Sequence, residues 1–373
     1  MRIAINTRFL LGHKMEGFGW FTYETVKRIV QSHPEHQFIF FFDRAFDPKF
    51  IFADNVEPVV LFPPARHPVL FKIWFNISVT RALKKYKADV FFSPDGYLSL
   101  KTNVPQINVI HDLNFEHFPQ DLPVSARNYL RNYFPKFAQK ATHIITVSEF
   151  SKQDIVKTYG ISENKITVAH NGASDKFKPI SIVDKHIIRN KFTNGEEYFI
   201  FVGALHPRKN VGRLLDAFDK FKNETNSKTK LLIVGENLWK SEKLNVVKIQ
   251  FEDDVIFTGH QTIDDLAKIV ASAKAMAFVS YFEGFGIPLV EAMNAGCPIL
   301  SGNLTSLPEV AGNAALYCDP FDTDSIKNGL IQLDLNEELR KDLIEKGRIQ
   351  SKKFSWDHTA SVIWNVIESY VKK

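Results

Sequence analysis

Two carboxylates, Glu283 and Glu291, stand eight positions apart in Ser280-Tyr281-Phe282-Glu283-Gly284-Phe285-Gly286-Ile287-Pro288-Leu289-Val290-Glu291-Ala292. The apolar run at 275–279 reads as a strand that ends in a loop with two glycines. An apolar-periodic helix follows, with Pro288 in its first turn. Proline is tolerated there because the first helical N–H groups have no intrahelical partner to lose. Gly284 and Gly286 let the backbone approach a ligand closely. The helix end beyond them offers free N–H groups and a positive dipole end to an anion. Glu291 then lies about one turn into the helix, and Glu283 sits on the loop before it. Such an arrangement can hold a phosphate at the helix end, with a carboxylate on either side to accept hydrogen bonds from hydroxyls. A sugar nucleotide, with a diol at each end and a diphosphate between, has that chemistry.

A second segment, Gly203-Ala204-Leu205-His206-Pro207-Arg208-Lys209-Asn210, follows a strand expected at 198–202 and precedes a helix from Val211. Arginine presents a planar fork to phosphate oxygens and lysine a compact charge, so Arg208 and Lys209 suit a diphosphate. As plain surface cations they would sit at the unfavourable end of the helix dipole. Beside the carboxylate pair they read as groups that neutralise an anionic ligand.

Together these segments resemble the family-4 group of retaining glycosyltransferases with the GT-B fold. The likeness runs from the N-terminal glycine loop to Phe354-Ser355-Trp356. It is strongest toward bacterial mannosyltransferase-type enzymes of polysaccharide assembly. The resemblance implies an α/β chain with two facing Rossmann-like, doubly wound domains and the active site in the cleft between them. It implies transfer of a hexose, mannose foremost, from a nucleotide diphosphate sugar to a saccharide or lipid-linked saccharide, with retention of anomeric configuration. GDP-mannose is the expected donor, on the likeness of 109–111 and 146–151 to mannosyltransferase-type members. The nucleotide sugar is a co-substrate, and neither a cofactor nor a metal is expected. Glu291 would hold the ribose diol and Glu283 the donor-sugar hydroxyls, with Gly203, Gly284, Phe285 and Gly286 lining the donor. Arg208, Lys209 and the helix end would stabilise the departing diphosphate by preorganised charge.

Other residues read both ways. His111, with Asp112, ends a strand at 108–111; a lone histidine is commonly structural, whereas the resemblance matches it to the histidine that binds the donor sugar and helps set up the transition state. Gly12, Gly17 and Gly19 decorate the loop after the first strand, a strand end where α/β folds collect ligands. By resemblance this loop reaches the donor phosphate. Thr22 stands three residues after Gly19, so G-x-G-x-x-G is incomplete and a dinucleotide cofactor loses its main support. After the strand at 143–147, Ser148 and Lys152 are assigned to the acceptor, Lys152 alternatively to a phosphate, and Ser151 reads as a helix N-cap. Gly235 and Glu236, and Gly259, each end a strand; the resemblance puts them around the base. Asp322-Thr323-Asp324 spells D-x-D, but opening a helix after Asp319-Pro320 it reads as capping.

The elements that must position these groups alternate as short strands and longer amphipathic segments, the pattern of parallel sheets with crossover helices. Strands are expected at 2–6, 37–42, 90–93, 108–111, 143–147 and 166–170, then at 198–202, 231–234, 255–258, 275–279 and 298–301. Helices are expected at 20–32, 70–86, 125–140 and 151–159, then at 211–222, 262–272, 288–295, 323–333 and 337–353. A chain of 373 residues exceeds the size at which single cores stop growing, so two domains follow. A boundary near 177–179 gives an acceptor-side domain 1–178 and a nucleotide-sugar domain 179–356. By resemblance a terminal helix at 357–373 packs back on the first.

Composition excludes several classes. Hydrophobic content of 45% and charged content of 24% are those of a globular enzyme. The 33 phenylalanines supply core, as in the run 38–42. A net charge of +5 suits an anionic substrate or membrane surface without implying nucleic acid. Cys297 and Cys318 alone form neither a disulfide framework nor a zinc site. The chain opens on a strand-like Arg2-Ile3-Ala4-Ile5-Asn6 rather than a signal peptide, and no apolar run nears the ~20 residues of a spanning helix. A cytoplasmic protein is expected, at most peripheral on the inner face of the plasma membrane. The stretch 69–87 mixes aromatics with Arg81, Lys84, Lys85 and Lys87; it suits a membrane interface, or a helix whose aromatic side is core, the reading preferred here. A sugar-nucleotide epimerase or hydrolase, a non-catalytic partner protein and a dinucleotide-dependent oxidoreductase stay as alternatives on such a fold.

Overall fold

The structure, a computed structural model, describes residues 1–12, 15, 17–236 and 250–370. The chain divides into two compact units, Met1–Asn171 with Ser355–Lys373, and Gly172–Phe354. The division falls after Asn171, a few residues before the Phe177-Lys178-Pro179 segment that the sequence suggests.

The first unit holds a seven-stranded sheet: β1 (Arg2–Asn6), β2 (Gln37–Phe42), β3 (Val56–Val60), β4 (Val90–Ser93), β5 (Gln106–Val109), β6 (His143–Thr146) and β7 (Ile166–Val168), in the order β3-β2-β1-β4-β5-β6-β7. The second holds six strands: β8 (Tyr198–Val202), β9 (Lys230–Val234), β10 (Val255–Gly259), β11 (Ala275–Phe278), β12 (Ile299–Gly302) and β13 (Leu316–Cys318), in the order β10-β9-β8-β11-β12-β13. Neighbouring strands pair in parallel throughout, as in β1 with β4 and β8 with β9. Each sheet is Rossmann-like, its order reversing once, at β1/β4 and at β8/β11. Ligands in such sheets collect at the carboxyl ends beside that reversal.

Burial explains why these strands read as unbroken apolar runs. Phe38 to Phe42 in β2 and Tyr198 to Phe201 in β8 are all buried, because helices cover both faces of a parallel sheet. The helix Val211–Thr225 presents Leu214, Leu215, Phe218 and Phe221 to the second core at helical spacing.

Several elements depart from the sequence expectation. Strand β3 carries Pro58, which cannot donate to a ladder and suits only an edge; β13, also at an edge, is three residues long. The helix Ile182–Thr193 buries only Thr193 and leaves Ile182, Val183 and Ile187 exposed, so no amphipathic pattern announces it. Its start is set by Ser181, whose side chain accepts the Asp184 N–H at 3.1 Å. The stretch expected as one helix at 70–86 is Pro68–Ile73, a π-helical turn Trp74–Val79, and Thr80–Lys85. Trp74, Phe75, Val79 and Leu83 enter the first core, so its aromatic side is core.

The helix Trp356–Ser369 belongs to the first unit. Trp364 stacks on His33 with centroids 3.7 Å apart, and Thr359 Oγ1 donates to the His170 carbonyl. Residues 371–373 of the expected terminal helix lie outside the described residues. No helix among the described residues is long and apolar enough to cross a membrane.

Candidate active site

The reversal between β8 and β11 brings the sequence's two segments together. Past β8 the chain turns through Pro207–Lys209, a short 3-10 turn whose start is capped by His206 Nδ1, 3.2 Å from the Arg208 N–H. Asn210 sits in the left-handed region at φ +62, where asparagine is among the few tolerated residues. Its Nδ2 donates to the Val279 and Pro320 carbonyls. This holds the turn against the end of β11, where Glu283 follows.

Glu283 is buried and doubly paired: Lys209 Nζ lies 2.7 Å from one carboxylate oxygen and Arg208 Nη1 3.0 Å from the other. Arg208 also donates to the Phe282 carbonyl at 3.1 Å. Burial alone would raise the Glu283 pKa, but Lys209 and Arg208 outweigh it and hold the carboxyl below its ordinary range. Two cations thus meet one buried carboxylate at the sheet's carboxyl edge.

Glu291 differs. It lies on the helix Ile287–Ala295, which opens after Gly286 at φ +99 with Pro288 in its first turn. Glu291 is half-buried, makes no hydrogen bond or ion pair with any described residue, and burial pushes its pKa up to about 8. Such a carboxyl can accept a hydrogen bond from a hydroxyl donor. At Gly286 a side chain would lie 2.9 Å from Leu307.

Gly203 and Gly235 follow β8 and β9, and Gly259 ends β10. A Cβ at Gly235 would fall 1.9 Å from the Gly203 carbonyl oxygen, so only glycine fits. Gly203 donates to Val234 O, Gly235 to Gly259 O, and Leu205 to Glu236 O, which links all four sequence-named positions. Phe285 is buried, its ring edge-on to Phe354. Asp322 caps the helix Thr323–Leu335 by accepting the Asp324 N–H at 2.9 Å, and Asp324 pairs with Lys220. Among the described residues, no cluster of three or more histidine, cysteine or acidic side chains is arranged to hold a metal.

In the first unit His111 follows β5. Its Nε2 is 2.8 Å from the Pro94 carbonyl, which can only accept, so Nε2 carries the proton and Nδ1 of the neutral ring is left as an acceptor. Phe18 and Phe21 meet the ring edge-on at 4.8 Å each. Burial pushes the His111 pKa down, which keeps the ring neutral.

Two local expectations in this unit are corrected. Gly17 and Gly19 are not in a loop: both lie in the first turn of the helix Gly17–Ser32. Gly19 is small because a side chain would lie 2.7 Å from the Phe9 carbonyl oxygen, so the need is close packing rather than positive φ. The N-cap after β6 is Ser148, not Ser151; Ser148 Oγ accepts the Ser151 N–H at 3.0 Å, and Ser151 Oγ donates to the His111 carbonyl at 3.0 Å. Ser148 is fully buried, and Lys152 pairs with Glu163 at 3.1 Å. Sequence reasoning missed Asn210, Thr305 and Ser306, which hold the Arg208 and Glu283 loops. Only the asparagine before a helix carried a faint signal.

Comparison with known proteins follows the same division. Residues 183–350 match glycosyl transferases group 1, and residues 15–177 match glycosyltransferase family 4. The O-antigen chain mannosyltransferase B of Escherichia coli is 26% identical over 359 residues, covering 93% of this chain and 94% of that one. The O-antigen chain mannosyltransferase RfbU of Salmonella typhimurium is 28% identical over 262 residues, covering 70% and 68%. WaaG, a glycosyltransferase involved in lipopolysaccharide biosynthesis, shares the fold at a TM-score of 0.77 and 18% identity, covering 98% of this chain and 99% of that one. With both units matched and the charged groups of the second in place, the chain belongs to the group 1/family 4 glycosyltransferases of GT-B fold.

Proposed function

We propose that the protein transfers a hexose, mannose foremost, from a nucleotide diphosphate sugar, GDP-linked foremost, to a saccharide or lipid-linked saccharide with retention of configuration. The observation that carries this reading is the Arg208/Lys209 pair gripping buried Glu283, followed by a helix whose Glu291 makes no hydrogen bond or ion pair with any described residue. The second unit takes the donor: Glu291 accepts from the ribose diol and Glu283 from sugar hydroxyls, while Gly203, Gly235, Glu236 and Gly259 face the base and phosphates. As the C1–O bond breaks through an oxocarbenium-like state, charge grows on the diphosphate, and Arg208 and Lys209 stabilise it without reorganising. Glu283, gripped by two cations, positions hydroxyls rather than attacking C1; a glycosidase-type double displacement would need carboxylates flanking the bond. The acceptor hydroxyl attacks from the leaving-group face, and the departing phosphate takes its proton. Neutral His111 and the acceptor contacts belong to the first unit. The mannose assignment rests on the names of the two O-antigen relatives.

Because Arg208 and Lys209 supply the positive charge, the scheme needs neither a cofactor nor a divalent ion. Activity that vanishes with a chelator and returns with Mg²⁺ would contradict that part. The protein would work in the cytoplasm, against the inner face of the membrane. Residues 58–88 contain six Lys and Arg and no Asp or Glu, all six basic side chains are exposed, and Phe62 is 70% exposed beside them.

The deciding experiment offers purified protein GDP-mannose and UDP-sugars with and without saccharide acceptors, following thermal protection and nucleotide release. Acceptor-dependent release from GDP-mannose is expected. Protection by UDP but not GDP at matched concentration overturns the donor base, and acceptor-independent turnover favours an epimerase or hydrolase.

A further inference from the structure

Thr305 lies in the loop between β12 and the helix Leu307–Ala311, with φ at +59. Lys87, Asn194, Asn210 and Asn226 share positive φ, but Thr305 is the β-branched residue among them. In that region a branched Cβ crowds its own backbone, and glycine or asparagine would relax the strain. A threonine kept there points to a use for its hydroxyl. Thr305 Oγ1 lies 2.7 Å from the Leu304 carbonyl, to which it donates. That leaves its lone pairs for the Glu283 N–H at 3.2 Å. The next hydroxyl, Ser306 Oγ, is buried and lies 2.9 Å from the Glu283 carbonyl and 3.0 Å from that of Phe285. Two consecutive side chains from a separate loop thus grip both peptide groups flanking the Glu283 Cα. Arg208 and Lys209 grip its carboxylate from the other side.

We propose that Thr305 is a positioning residue for sugar transfer: held in a strained backbone conformation, its hydroxyl fixes the Glu283 peptide and so the place of the Glu283 carboxylate. This rests on the donor-site reading above. Diphosphate and ribose contacts run through Arg208, Lys209 and Glu291, so losing the Thr305 hydroxyl misplaces the group facing the sugar and leaves donor affinity largely intact. A displacement near 1 Å at a reacting centre costs up to about 100-fold in rate.

The test compares Thr305→Val (branched, no hydroxyl), Thr305→Gly (strain relieved, no hydroxyl) and Thr305→Ser (hydroxyl kept). Expected are kcat losses of roughly 10- to 100-fold in Val and Gly with donor KM near wild type, and rescue in Ser. Hydrogen exchange of ligand-free protein supplies an activity-independent arm: the Glu283 amide exchanges about tenfold faster in Val and Gly than in wild type or Ser. Unchanged exchange in Val, unchanged kcat in Gly, or a Ser variant as impaired as Val overturns the proposal. If wild-type protein binds no nucleotide sugar, the donor-site reading falls, and the exchange arm alone decides whether Thr305 holds Glu283.

Discussion

Each sheet carries a buried ion pair at the point where its strand order reverses, and the two pairs differ in how they are closed. In the first unit Arg8, after β1, meets Asp95, after β4, at 2.5 Å, with side chains 4% and 1% exposed. The rings of Phe9, Phe71, Phe75 and Tyr97 surround the guanidinium at 4.4 to 5.4 Å, and Asp95 also accepts from Ser93 Oγ and the Tyr97 N–H. One cation answers one carboxylate behind a wall of aromatic rings. In the second unit Glu283 is as deeply placed, but the two cations that grip it, Arg208 and Lys209, are 23% and 13% exposed. Equal topology yields a sealed pair in one sheet and a more accessible cluster in the other. Exposure, rather than position in the fold, separates the two.

The largest effect expected from breaking this contrast is on stability. Asp95→Ala strands a buried guanidinium and should cost about 3–5 kcal/mol, read by urea unfolding; a loss below about 1 kcal/mol would mean water reaches Arg8 after all. Arg208→Ala and Glu291→Ala should do the opposite, weakening donor binding or turnover by about 2–5 kcal/mol while unfolding stays near wild type. In the first variant Lys209 still answers Glu283. Normal kinetics in either variant would remove that residue from the site.

The carboxylates of the second unit should also separate by pH. Glu291 has its pKa raised in the fold from 4.5 to about 8. Its contribution to stability is therefore full below about 4.5, declines by at most ~1.4 kcal/mol per pH unit as pH rises, and is gone above about 8. Glu283, with its pKa lowered, contributes above its unfolded value of 4.5 and loses that contribution as pH falls through the depressed value. Thermal unfolding against pH should thus lose its neutral-range decline in Glu291→Gln and keep it in Glu283→Gln. Donor binding should release a proton below about pH 8, because hydroxyl donors favour the ionised Glu291; calorimetry in buffers of different ionisation enthalpy would detect it.

The smallest effect concerns the basic stretch 66–87 of the first unit, where Arg66, Lys72, Arg81, Lys84, Lys85 and Lys87 are exposed, in contrast to the sealed Arg8. Each is worth ~1 kcal/mol at an anionic surface, fading with salt. Lys84→Glu with Lys85→Glu should reduce co-sedimentation with anionic vesicles, and no co-sedimentation of wild-type protein at low salt would end the idea.

The site was legible in the sequence where its logic is local. Glycines just after Glu283, Pro288 at a helix start and a basic pair after an apolar strand each act within a few residues of themselves. Misread positions were those whose role is set by a distant partner. Gly17 and Gly19 read as a loop because the Phe9 carbonyl that crowds Gly19 is invisible in the sequence. Ser151 read as the cap although Ser148 has the bond, since both serines suit the position and only the entry angle of the chain chooses.

By itself the sequence determined the alternation of buried strands and covering helices, hence two α/β units, because burial is non-directional and follows apolar patterning. It also determined which local segments join glycines, a helix start and charged side chains. Only the tertiary structure decided which charges meet: Arg208 and Lys209 reach Glu283 across 75 and 74 positions, and Arg8 reaches Asp95 across 87. Those meetings depend on strand order and on the packing of whole sheets, which place side chains to a fraction of an ångström. The backbone strain at Thr305 belongs to the same class, since no residue near it in sequence requires that conformation.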